Sequence, residues 1–98
     1  MKIKKILKEE KPDVSINTIK AYYTNLNKIN KMITNQKEIK NLDFLTDSKK
    51  VLEVLSNLTN HTIKNNLVSV VVILGSNKAK YKDIIEEYNQ EIKKLQAK

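Results

Sequence analysis

The sequence predicts an all-α fold, a compact bundle of four to five short helices. Three observations carry that reading. Apolar residues recur at spacings of three and four along most of the chain. Helix-capping residues open the periodic stretches. The one run rich in β-branched residues has no second such run with which to form a sheet. At 98 residues the chain fits a single domain, one that removes about two-thirds of its unfolded surface from water. It divides into an N-terminal helix or arm over 1–12, a helical core over 13–76 and a C-terminal amphipathic helix over 77–98.

The first segment, Lys2 to Glu9, sets Ile3, Ile6 and Leu7 on one side and lysines on the other, and Pro12 ends it. The second opens at Ser15, a good N-cap, and runs to Ile33. Ile19, Tyr22, Leu26, Ile29 and Ile33 form its apolar stripe, and Lys20, Thr24, Asn27 and Lys31 follow the same spacing on the far side. The third starts at Thr46 or Asp47, with Val51, Leu52, Leu55 and Leu58 as its buried face. Thr59 or Asn60 caps the fourth, His61 to Leu74, and Gly75 stands where a left-handed C-terminal residue is expected. On propensity alone Leu67 to Leu74 also suits a buried strand. As a helix it is apolar nearly all round, which makes it the central one, packed on both sides. The fifth, Lys78 to Ala97, repeats Tyr81, Ile84, Ile85, Tyr88, Ile92 and Leu95 on a narrow face and carries Asp83, Glu86, Glu87 and Glu91 elsewhere.

Composition excludes several chemistries. There is no cysteine, so disulfides, thiolate metal sites and a cysteine nucleophile are ruled out. A single glycine leaves no phosphate-cradling loop or dinucleotide fingerprint. With His61 the only histidine, no metal site is expected. Glu86 and Glu87 are helix neighbours that diverge rather than converge as an acid/base pair. The expectation is a protein that is not an enzyme and takes no cofactor. The longest apolar run, Val70 to Leu74, is far shorter than the roughly 20 residues of a membrane span, and the start Met1-Lys2-Ile3-Lys4-Lys5 lacks a signal-peptide core. A cytoplasmic or nucleoid/nuclear location is expected.

The net charge is +8, and all 19 basic residues are lysine. A coding bias toward A and T enriches lysine, asparagine and isoleucine together; a polyanionic partner selects for lysine as well. Either way, the absence of arginine removes the fork that best reads guanine, so binding should go mainly to phosphates. Two places gather positive charge and hydrogen-bonding side chains. One is the Lys20, Thr24, Asn27 and Lys31 stripe, with Ser15 and Asn17 at its start. The other is the turn of Asn60, His61, Thr62, Lys64 and Asn65, where free N–H groups and the helix dipole favour a phosphate. Tyr23 lies at the border of the first, its hydroxyl within reach of a sugar or phosphate.

The segment Ser15 to Leu26, with its Ser, Thr18-Ile19, Tyr22 and Leu26, resembles the opening helix of the SAM-like core-binding domain of tyrosine recombinases and phage integrases. Thr62 to Leu74, a Thr followed by Leu67-Val68-Ser69 and a hydrophobic run, resembles that family's third helix, and Phe44 to Leu58 stands where its second belongs. The resemblance covers residues 13 to 90. It implies a helical bundle that clamps double-stranded DNA from one side, with Thr18, Lys20, Tyr23 and Thr24 of one helix and His61, Thr62, Lys64 and Asn65 of another in contact. The family's catalytic arginines and tyrosine nucleophile have no counterpart here, so the resemblance implies a DNA-binding part of a longer recombinase or a stand-alone relative, of viral or mobile-element type. A different reading is an assembly domain that self-associates, or binds a partner helix, through Tyr81, Ile84, Ile85, Tyr88, Ile92 and Leu95.

Overall fold

The structure is a computed structural model and describes residues 1–97. Its elements are α1 (Ile3–Glu10), α2 (Ile16–Thr34), a 3-10 turn (Asp43–Leu45), α3 (Ser48–Leu55), α4 (Asn60–Leu74), a second 3-10 turn (Gly75–Asn77) and α5 (Lys78–Gln96). No strand occurs among the described residues. The β-branched run of α4 is therefore helical. Burial is what holds it so: Leu67, Val70, Val72, Ile73 and Leu74 are all buried, and their packing outweighs the few tenths of a kcal/mol that each valine costs a helix.

Helix α4 is the central element, with α1, α2 and α5 packed against it, while α3 bridges α2 and α5. The result is nearly isotropic, 32 × 30 × 28 Å. Three helix starts follow from a capping side chain that the sequence offers. Ser15 Oγ accepts from the Thr18 amide, Asp47 from that of Lys50, and Thr59 from that of Thr62. Helix α1 stops before Pro12, which disfavours helical backbone at Lys11. Helix α2 ends at Asn35, whose φ of 59° is left-handed. Helix α5 is kinked at Tyr81 (φ −107°, ψ 16°), so its regular part starts one turn late.

Two expectations need correction, and one buried segment is new. Gly75 is right-handed (φ −60°, ψ −18°) and continues the chain from α4 into the 3-10 turn. A Cβ there would lie 3.1 Å from Glu10 Oε1, the far end of a flexible side chain where α1 meets the turn. Leu58 is 42% exposed rather than core, because α3 stops at Leu55 and the chain turns away before Leu58 can follow the helical stripe. Between α2 and α3, Ile39, Leu42, Phe44 and Leu45 are buried although no regular helix carries them. Asn30, itself buried, fastens that segment by donating to the carbonyls of Gln36 (3.2 Å) and Glu38 (3.1 Å).

Candidate nucleic-acid interface

The solvent side of α2 carries Lys20, Thr24 and Lys31 exposed and Asn27 half-buried, opposite the buried Ile19, Leu26 and Ile29. Successive helical residues turn about 100°, so a row at i, i+4 drifts by about 40° per step. The row Lys20, Thr24, Lys28, Met32 accordingly starts in open solvent and drifts toward the side where α2 and α4 share a groove. That groove, of about 300 Å³, has Asn25, Lys28, Lys31 and Met32 as its α2 wall. Val54, Leu55 and Leu58 line it as well, together with Thr62 and Asn66 of α4. Asn25 ties the two helices beneath it, donating to Ser69 Oγ at 3.0 Å, while the buried Ser69 hydroxyl donates to the Asn65 carbonyl at 3.1 Å.

The first turn of α4 does not act as one cluster. Lys64 follows Thr62 by two residues, about 200° around the axis. Thr62 thus faces α2, whereas Asn60, His61 and Lys64 line a separate depression with Leu95 and Gln96 at the end of α5. Asn65 Nδ2 donates to His61 Nε2 at 3.3 Å. Tyr23 turns to the opposite flank of α2, half-buried, with Lys4 Nζ 4.8 Å from its ring centre. Ser15 and Thr18 are engaged with each other, their hydroxyls 3.1 Å apart over the helix start, and Asn17 beside them is exposed. Of the residues singled out in the sequence, the fold brings Lys31 of the first cluster and Thr62 of the second to one groove. It leaves Lys20, Thr24 and Asn27 on the adjoining open face and Tyr23 and Lys64 on other sides.

Three groove residues of α2, Asn25, Lys28 and Met32, do not belong to the stripe drawn from the sequence. Alternating spacings of three and four trace a straight stripe, whereas the groove follows the drifting i, i+4 row; that second row was the available signal. The cations of this surface are free. Among the described residues the one ion pair within 4.0 Å is Lys94 with Glu91, at 3.2 Å on α5. Neither α2 nor α4 contains a single aspartate or glutamate.

On α5, Tyr81 and Tyr88 are buried, while Ile84, Ile85, Ile92 and Leu95 are half-buried and packed on the same core. The Tyr88 hydroxyl donates to the Leu45 carbonyl. Burial pushes the Tyr88 phenol well above the ordinary tyrosine range, and the nearby carboxylates of Glu87 and Asp47 add to this. No helix among the described residues is long and apolar enough to cross a membrane. Comparison with protein-family models, with curated proteins and with solved structures finds no match to this chain.

Proposed function

We propose that this chain is a non-catalytic DNA-binding module of the integrase core-binding type, holding duplex DNA mainly by its phosphates through α2 and the start of α4. The observation that carries the reading is the acid-free helix α2, along which Lys20, Lys28 and Lys31 stand unpaired, next to the hydroxyl of Thr62. Lysines spaced by one to three turns along a helix match a run of phosphates. Unpaired, they release DNA counterions without first breaking protein ion pairs.

If about five phosphates are neutralised, the logarithm of the affinity should fall with the logarithm of salt at a slope of about −4 to −5. Titration of a labelled duplex at several salt concentrations measures this. Lys28→Glu with Lys31→Glu should weaken binding to all sequences alike and flatten the slope by about two, with an unchanged helical spectrum. Absence of binding at low salt, or binding indifferent to salt, would sink the proposal. The assembly reading rests on the α5 stripe. If it were the right one, sedimentation would show a dimer that Ile85→Lys dissolves, with no affinity for DNA.

A further inference from the structure

We propose that the groove shared by α2 and α4 docks a short acidic segment of a partner protein, held in extended form with an apolar side chain inserted. The inference goes beyond the DNA-binding reading and does not depend on it; Lys28 and Lys31 would serve one partner or the other. Apolar surface, charge and hydrogen bonding each narrow the choice of occupant.

Met32 is 47% and Leu58 42% exposed, and both line this one groove. At about 300 Å³ it lies at the small end of ligand pockets, so it admits an apolar side chain rather than the face of a whole helix. Phosphates gain nothing from such a surface, whereas an inserted apolar side chain is removed from water. Lys28 and Lys31 stand on the same wall, no residue lining the groove is acidic, and neither lysine has an ion-pair partner within 4.0 Å among the described residues. Carboxylates flanking the inserted side chain therefore meet cations. A second copy of the chain, carrying the same +8, is repelled.

Hydrogen bonding settles the rest. Asn66 is only 4% exposed, and its Nδ2 donates to the Thr62 carbonyl at 2.8 Å. A carbonyl can only accept, which fixes the orientation of the amide. Asn66 Oδ1 then has no partner, yet no fully buried side-chain oxygen or nitrogen is left unsatisfied among the described residues. That oxygen is therefore open to the groove that Asn66 lines. Asn25 on the α2 wall repeats the pattern: Ser69 Oγ donates to Asn65 and so must accept from Asn25 Nδ2, which leaves Asn25 Oδ1 without a partner. Two acceptors beside two cations call for a ligand that both donates hydrogen bonds and carries negative charge. The backbone N–H groups of an extended segment donate, because no helix consumes them, and glutamate or aspartate supplies the charge. A phosphodiester or a fatty acid anion has no N–H to give.

The test titrates a fluorescein-labelled synthetic peptide of about ten residues, a leucine flanked on both sides by glutamates, by anisotropy at low salt. It should bind the wild-type chain. Serine in place of the leucine keeps the charge and should weaken binding about tenfold. Glutamine in place of the glutamates should weaken it about fivefold, and so should an ester in place of the leucine amide, which deletes one N–H. Met32→Ala/Leu58→Ala and Lys28→Gln/Lys31→Gln should reproduce the first two losses, while Lys20→Gln, outside the groove, should change affinity by about twofold at most. The four groove side chains are exposed, and unchanged melting temperatures verify that the variants fold. Absence of binding overturns the inference. Equal affinity for the leucine and serine peptides does so as well, since net charge alone is then binding. An ester that binds as well as the amide overturns it because the acceptors are then unused, and a dimer in sedimentation that Met32→Glu dissolves does so in favour of a second copy. No arm contains DNA, so each of these failures is distinct from failure of the DNA-binding reading.

Discussion

Single side chains link the parts of this core that no helix periodicity marks. Tyr88 is fully buried on α5, and its hydroxyl donates to the Leu45 carbonyl in the 3-10 turn. Tyr88→Phe leaves that carbonyl unpaired and should cost about 1–3 kcal/mol in urea unfolding at neutral pH. The pH dependence has a definite sign. The folded phenol titrates above the unfolded one, which ionises near pH 10, so its contribution is complete below that pH and is lost as pH rises past it. Wild-type stability should fall by up to about 1.4 kcal/mol per pH unit above pH 10 in excess of the Phe variant, whose decline lacks this part. Gly75 gives a second residue-level test. Its backbone is right-handed and the Glu10 carboxylate near it is the end of a flexible chain, so Gly75→Ala should be neutral or stabilise by up to about 1 kcal/mol. A left-handed glycine, the expectation from sequence, would instead lose about 1–2 kcal/mol. Residue type alone marks a helix end; whether the chain reverses there or runs on into another turn depends on α1 docking against it, which lies far away in sequence.

At the scale of elements, most helix starts were legible because caps and periodicity are local. The spacing in α2 gives its buried stripe of Ile19, Leu26 and Ile29 directly. The segment Ile39 to Leu45 was not legible, since its four buried residues lie in a stretch too short for a helix and the chain leading into it is fastened by Asn30, a polar side chain on another element. The groove was only half legible for a related reason. Thr62 and Lys31 could be nominated one by one, but that they share a groove, while Lys64 does not, depends on how α4 is rotated against α2. The residue pattern leaves two candidates for the α4 cap, and the structure selects Thr59, whose Oγ1 accepts from the Thr62 amide at 3.3 Å. Thr59→Ala should therefore lower stability by about 0.5–2 kcal/mol. Asn60→Ala, at the first helical position, should change the urea midpoint little. Equal losses for the two would contradict the capping geometry.

Charge belongs to the whole molecule. The chain carries +8, has a radius of gyration of 12.5 Å, and one ion pair within 4.0 Å among its described residues. At low ionic strength the screening length of roughly 30 Å is comparable to the molecule's size, so nearly every lysine repels the others and the folded state carries a self-repulsion that the expanded chain relaxes. Added salt shortens that length to about 8 Å near physiological strength, which should raise the melting temperature of the free protein. The same salt weakens its hold on DNA. The two effects have opposite signs and can be separated in one set of melting curves. Without DNA the melting temperature should climb with sodium chloride. With a duplex at about a hundred times its dissociation constant, the low-salt melting temperature should rise by the equivalent of about 2.7 kcal/mol, roughly 10–20 °C for a domain of this size. That increment should shrink as salt is added, until the curves with and without DNA converge. A free protein whose melting temperature falls with salt would mean that its lysines are not in net repulsion, and an increment that persists at high salt would mean that phosphates are not what the surface holds.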